Sequence, residues 1–123
     1  MKYDWHNKTI LIIEDDATSN EFFREVFNPT GAKVILSTNG KEGIDIFKNN
    51  KIDIVLLDIQ LPGINGIDVL KAIKIINNKI PIIAETAYAL NGDREKLISI
   101  GFDEFIAKPI LPNDLLKIVA KFL

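Results

Sequence analysis

A chain of 123 residues fits one domain of ordinary size. Hydrophobic residues make up 47% of it, enough for a packed core, while 15 basic against 17 acidic residues give a net charge of −2 and no basic footprint for nucleic acid. The lack of cysteine excludes disulfides, thiolate metal sites and a cysteine nucleophile, no apolar run approaches the roughly 20 residues of a membrane span, and residues 1–7 carry no signal-peptide core, so a cytoplasmic protein is expected.

Thr9 to Ile13 is a short apolar run rich in β-branched residues that stops at Glu14-Asp15-Asp16, the pattern of a strand buried on both faces and therefore parallel. Thr18 to Asn28 reads as a helix with an apolar stripe of Phe22, Phe23, Val26 and Phe27. Thr18 and Glu21 have capping-box spacing, and Asp16 is a second candidate cap. Asn28-Pro-Thr-Gly31 ends it.

Lys33 to Ser37 predicts a second strand, Gly40 to Asn49 a helix with Ile44, Ile46 and Phe47 inward, and Ile52 to Leu57 a third strand ending at Asp58. Leu61 to Gly66 is a turn-rich loop, Ile67 to Ile76 a helix, Pro81 to Glu85 a fourth strand, and Leu90 to Ile100 a helix closed by Gly101. Glu104 to Ala107 is a short fifth strand, and Pro112 to Phe122 a last helix with proline in its first turn.

Strands alternating with helices predict an α/β fold with a parallel sheet, and the number of units suits a flavodoxin-like doubly wound sheet of order 2-1-3-4-5 with five helices. In such sheets ligands bind beyond the carboxyl ends of the strands. Glu14 and Asp15, Asp58, Thr86, and Lys108 follow the first, third, fourth and fifth strands, so they should meet at one rim.

Taken singly, an acid at a strand end is commonly a solvated turn residue or a helix cap, and Asp16 is expected to be one. The conjunction points further. Clustered carboxylates resist ionisation unless positive charge compensates them. Lys108 supplies one charge, and a hard divalent cation with oxygen ligands, best Mg²⁺, supplies the rest. A carboxylate can accept a phosphoryl group as an acyl phosphate, with Thr86 and Lys108 holding the other phosphoryl oxygens. No glycine-rich nucleotide cradle follows the first strand, which excludes a dinucleotide-binding domain.

Ile10-Leu-Ile-Ile-Glu-Asp-Asp16, Asp53-Ile-Val-Leu-Leu-Asp58 with Leu61-Pro62 and Asn65-Gly66, Pro81-Ile-Ile-Ala-Glu-Thr-Ala87 and Phe105-Ile-Ala-Lys-Pro109 together resemble the receiver domains of two-component response regulators, over about residues 8 to 123. Residues 1–7 are then an extension or linker. The resemblance implies that Asp58 is the phosphoacceptor, and that Glu14, Asp15, Asp58 and the Gln60 backbone carbonyl seat Mg²⁺, with Mn²⁺ able to substitute. It implies that Thr86 and Lys108 bind the phosphoryl group, that Thr86 and Phe105 switch, and that Gln60 and Tyr88 tune its lifetime. Lys108-Pro109 is often cis in relatives, and Phe105 replaces a frequent Tyr. The expected donor is a phosphohistidine on a histidine kinase or histidine phosphotransfer domain. The expected output is the face of the fourth helix, fifth strand and fifth helix, near Ala87, Tyr88, Leu90 and Ile110.

With no effector region after Leu123, output by protein contact or onward phosphotransfer is expected. Tyr3-Asp-Trp5, Thr86-Ala-Tyr-Ala-Leu90 and Gly92-Asp-Arg-Glu95 resemble receivers of hybrid sensor histidine kinases, whose parent is in some cases membrane-anchored; a free-standing single-domain regulator is the alternative. Two other readings compete. A haloacid-dehalogenase-type phosphatase would carry a second Asp where this chain has Gln60, and a pseudo-receiver would keep the fold without taking phosphate.

Overall fold

The computed structural model describes residues 3–87 and 93–123. Its elements are β1 (Thr9–Ile13), α1 (Ala17–Phe27), a 3-10 turn (Asn28–Thr30), β2 (Lys33–Ser37), α2 (Gly40–Asn49), β3 (Ile54–Asp58), α3 (Gly66–Ile76), β4 (Ile82–Thr86), α4 (Asp93–Ile100), β5 (Glu104–Ala107) and α5 (Pro112–Ala120). All strand pairs are parallel and the sheet order is β2-β1-β3-β4-β5. This is the flavodoxin-like 2-1-3-4-5 arrangement expected from the sequence.

The strands read as unbroken apolar runs because both faces are covered. On one face Leu11, Ile13, Val55, Leu57, Ile82 and Ala84 pack with Phe47, Val69, Ile73 and Leu97 from α2, α3 and α4. On the other, Ile10, Ile12, Ile54, Leu56, Ile83 and Ile106 pack with Phe23, Phe27, Leu115 and Val119 from α1 and α5. Trp5 joins this second layer, only 7% exposed. Its ring lies 6.3 Å from that of Phe27, and its backbone N–H donates to the Thr30 carbonyl at 2.7 Å. Trp5 therefore sits at the amino-terminal edge of the sheet, opposite the rim where the acids collect.

Several boundaries differ from the sequence pattern. The cap of α1 is Asp16, not Thr18: its Oδ2 accepts from the Ser19 N–H at 2.9 Å and the Ser19 hydroxyl at 2.7 Å. A charged acceptor at the first possible turn after β1 outcompetes the later threonine, and it also complements the helix dipole. The ladder of β3 starts at Ile54 rather than Ile52 and runs on to Asp58, and that of β4 runs from Ile82 to Thr86, because the partner strands keep pairing there, Asp58 with Glu85 and Thr86 with Ala107. α5 ends at Ala120 rather than Phe122. The helix start expected at Leu90 lies outside the described residues. Among the described residues no helix is long and apolar enough to cross a membrane.

Candidate functional site

Parallel strands end on one rim, and alternation decides which face each side chain joins. Asp58 and Glu85 are register partners. They extend the rows of Ile54 and Leu56 and of Ile83, all on the α1/α5 face. Glu14 and Lys108 continue β1 and β5 by one ladder step, with the Glu14 N–H donating to Ser37 O at 2.9 Å and the Lys108 N–H to Thr86 O at 2.8 Å. The same alternation brings both side chains to that face, beyond Ile12 and Ile106. Thr86 and Phe105 fall on the opposite face, as diagonal neighbours through the pairs Ala84–Phe105 and Thr86–Ala107.

Carboxylate oxygens of Glu14, Asp15 and Asp58 all lie within 4.8 Å of one another. Glu14 is fully buried, Asp58 nearly so, and Asp15 exposed. Lys108 Nζ donates to Glu14 Oε1 at 2.7 Å and stands 3.8 Å from Asp58 Oδ2. Asp58 Oδ1 accepts the Gln60 N–H at 2.9 Å, which folds the chain after β3 back over the acid. The Lys108-Pro109 peptide is cis.

Two further contacts hold this rim in shape. Asn20 on α1 donates from Nδ2 to the Glu14 carbonyl at 2.9 Å. At the start of α3, a Cβ on Gly66 would fall 2.5 Å from Ile59 Cα and 2.6 Å from Asp58 O. Only a residue without a side chain lets α3 come so close to the backbone carrying Asp58.

The electrostatics follow from burial. Burial pushes the Glu14 carboxyl up to about 7, helped by the neighbouring Asp58 and opposed by Lys108. Burial alone would lower Lys108, but its hydrogen bond to Glu14 and the charges of Glu14, Asp58 and Glu85 outweigh it, so the ammonium is held above its usual range. Glu85 is pushed well above the carboxylate range, first by burial and then by Glu14 and Asp58.

An all-oxygen set of three converging carboxylates fits a hard divalent cation, Mg²⁺ before a softer metal. Beside Thr86 a cleft of about 220 Å³ is lined by Ile59, Gln60, Ile67, Leu97 and Ile100. A second groove of about 280 Å³ runs past Ser19, Phe22, Lys108, Pro109 and Ile110.

Glu14, Asp15, Asp58 and Lys108 thus meet as the sequence pattern requires, with exposed Gln60 at the edge and Thr86 and Phe105 behind. Tyr88 and Leu90 lie outside the described residues. Two residues escaped the sequence pattern. Asn20 reads as an ordinary helix residue, and nothing local announces its bond to Glu14. Glu85 left a signal in its position, a charged residue inside the apolar run Pro81-Ile-Ile-Ala-Glu-Thr86.

Residues 10–120 match the response regulator receiver domain family. The polar-differentiation response regulator DivK of Brucella anthropi is 36% identical over 105 residues, 84% of this chain and 85% of DivK. The receiver domain of the sensor histidine kinase PA1611 of Pseudomonas aeruginosa, with a magnesium ion coordinated in its active site cleft, superposes with a TM-score of 0.85 at 28% identity, covering 94% of this chain and 96% of that one. Vibrio cholerae chemotaxis protein CheY4 shares the fold at a TM-score of 0.87 and 19% identity, over 94% and 98% of the two chains. The chain belongs to the response regulator receiver domain family and is a receiver domain of two-component signalling.

Proposed function

We propose that this receiver takes a phosphoryl group from a phosphohistidine onto Asp58 and reports it by a population shift of the α4-β5-α5 face. The observation that carries the reading is the convergence of Glu14, Asp15 and Asp58 within 4.8 Å, with Lys108 on the same rim. A carboxylate oxygen of Asp58 attacks phosphorus, forming an O–P bond as the N–P bond to the donor imidazole breaks. Glu14, Asp15, Asp58 and the Gln60 carbonyl would hold Mg²⁺, or Mn²⁺ in its place, which would neutralise the transferring charge. Lys108 pairs with one phosphoryl oxygen and Thr86 donates its hydroxyl to another. Phe105, one diagonal step from Thr86, follows it toward the 220 Å³ cleft. Water later attacks the phosphorus, the acyl O–P bond breaks, and Asp58 is regenerated with release of phosphate. Gln60 and Tyr88 tune that step.

The donor is a histidine kinase or histidine phosphotransfer domain in the cytoplasm, and the apolar groove beside Phe22 and Ile110 gives it a seat next to Asp58. Residues 8–123 act as the receiver and residues 1–7 as an extension, of which Trp5 packs on the receiver. The match to DivK over 85% of that regulator's length favours a free-standing regulator, and the likeness to the PA1611 receiver is what supports a hybrid-kinase origin. The test is transfer from a radiolabelled phosphohistidine domain. Label should move to the wild type, be released as inorganic phosphate by hydroxylamine, which converts an acyl phosphate to a hydroxamate, and be absent from Asp58→Asn. Label that persists in Asp58→Asn would point to another acceptor.

A further inference from the structure

Glu85 is used by none of the roles above. It is fully buried, and among the described residues neither of its carboxyl oxygens has a hydrogen-bond partner. A buried polar group left without a donor costs about 1–3 kcal/mol, and more when charged. Its register partner on β3 is Asp58, but its neighbours on the other side are apolar, with Ile83 before it on β4 and Ile106 beside it on β5, so an aliphatic residue would suit that packing. A carboxyl group kept there without a partner calls for a donor at some stage of the protein's work.

Among the described residues the cation that register sets on this side is Lys108, two residues past Ile106, the Glu85 partner on β5, and on the same face. Lys108 is engaged by Glu14 at 2.7 Å. Glu14 is needed twice, because the same carboxylate belongs to the set that fits a divalent ion. An ion drawing on Glu14 loosens its hold on Lys108, and the ammonium, 3.8 Å from Asp58 Oδ2, must then find a further acceptor or turn toward solvent. Solvent would carry it away from Asp58, where it is needed.

We propose that Glu85 is a positioning residue, the second acceptor for the Lys108 ammonium, taken up when a divalent cation engages Glu14. An ammonium has three donors, so Lys108 can bind Glu85 from below and still offer a hydrogen to a phosphoryl oxygen on Asp58. The exchange eases cation entry and keeps Lys108 beside the acceptor. This inference rests on the reading of Glu14, Asp15 and Asp58 as the cation site.

Mg²⁺ titration by calorimetry of the full chain tests it in a double-mutant cycle of Glu85→Gln and Lys108→Met. Glu85→Gln should weaken Mg²⁺ about tenfold in the Lys108 background, as loss of an outer-sphere partner does. In the Lys108→Met background it should change affinity by no more than about twofold, the margin of additivity for independent sites. Equal weakening in both backgrounds would reduce Glu85 to a distant charge and overturn the proposal, as would no effect in either. Failure of the wild type to bind Mg²⁺ would overturn the cation-site reading and this inference with it. A measurement on the wild type stands apart from any folding defect of the variants. Couplings across the hydrogen bond from Lys108 Nζ to carboxyl carbons, read by NMR, should shift from Glu14 to Glu85 as Mg²⁺ is added. Coupling that stays on Glu14, or passes to neither, refutes the exchange.

Discussion

Replacing Glu85 by leucine should make the metal-free protein more stable while weakening its hold on Mg²⁺. The side chain is fully buried and both oxygens are unpartnered. Relieving one such group is worth about 1–3 kcal/mol. Leucine also adds apolar contact beside Ile83 and Ile106, although the glutamate methylenes already provide part of it. A gain of about 2 kcal/mol follows, which for a domain of this size raises Tm by roughly 8 °C. The pH dependence gives a second handle. The folded protein holds Glu85 well above 4.5, so above that pH the native state binds more protons than the unfolded chain and wild-type stability falls as pH rises. Leucine has no such proton, so the gap between variant and wild type should widen from about pH 5 to about pH 8. Urea denaturation in EDTA, followed by circular dichroism at both pH values, measures it. A variant no more stable than wild type at either pH, or a gap that does not change with pH, would show that Glu85 is not an unpartnered buried acid.

Other outcomes follow from the same geometry. Gly66→Ala should cost about 2 kcal/mol, because its Cβ would meet backbone atoms of Ile59 and Asp58 at 2.5 and 2.6 Å; thermal melts give the loss, and slower phosphorylation by acetyl phosphate gives its effect on the rim. Glu104 is bonded by Arg94 at 3.2 Å and Lys121 at 3.3 Å; although burial works against it, these partners hold its carboxyl below the usual 4.5. Its contribution is therefore present above the unfolded value and lost as pH falls, so Glu104→Gln should destabilise by about 1 kcal/mol at neutral pH and by almost nothing at about pH 3, read from urea midpoints at the two pH values. Trp5→Ala should cost about 3 kcal/mol in urea denaturation, since Trp5 is packed between Tyr3 and Phe27 rather than trailing in solvent.

The sheet and most of the site were legible because two strong local signals coincide. Runs such as Ile54 to Leu57 can be buried only on both faces, and each ends in a polar residue that a parallel sheet must bring to one rim. What escaped depends on neighbours far off in sequence. The last residues of β3 and β4 belong to the ladder because Glu85 and Ala107 pair with them, which no local pattern reports. The spacing of Thr18 and Glu21 suggested a capping box, but the chain turns into α1 so soon after β1 that Asp16 reaches Ser19 first. Trp5 read as part of an extension because its anchor, the Thr30 carbonyl, belongs to a different loop. Glu85 stood in plain view as a charge inside an apolar run. Its meaning emerges only when register sets it beside Asp58 with no partner of its own.

Asp58 is proposed to accept the phosphoryl group with help from a divalent ion held by its neighbours. Intact mass spectrometry of the protein after incubation with acetyl phosphate or phosphoramidate, with Mg²⁺ or with EDTA, tests it directly. The expected result is a single phosphoryl adduct that requires Mg²⁺ and disappears in Asp58→Asn. An adduct that forms equally in EDTA, that survives Asp58→Asn, or that never forms with either donor on a folded protein would contradict it.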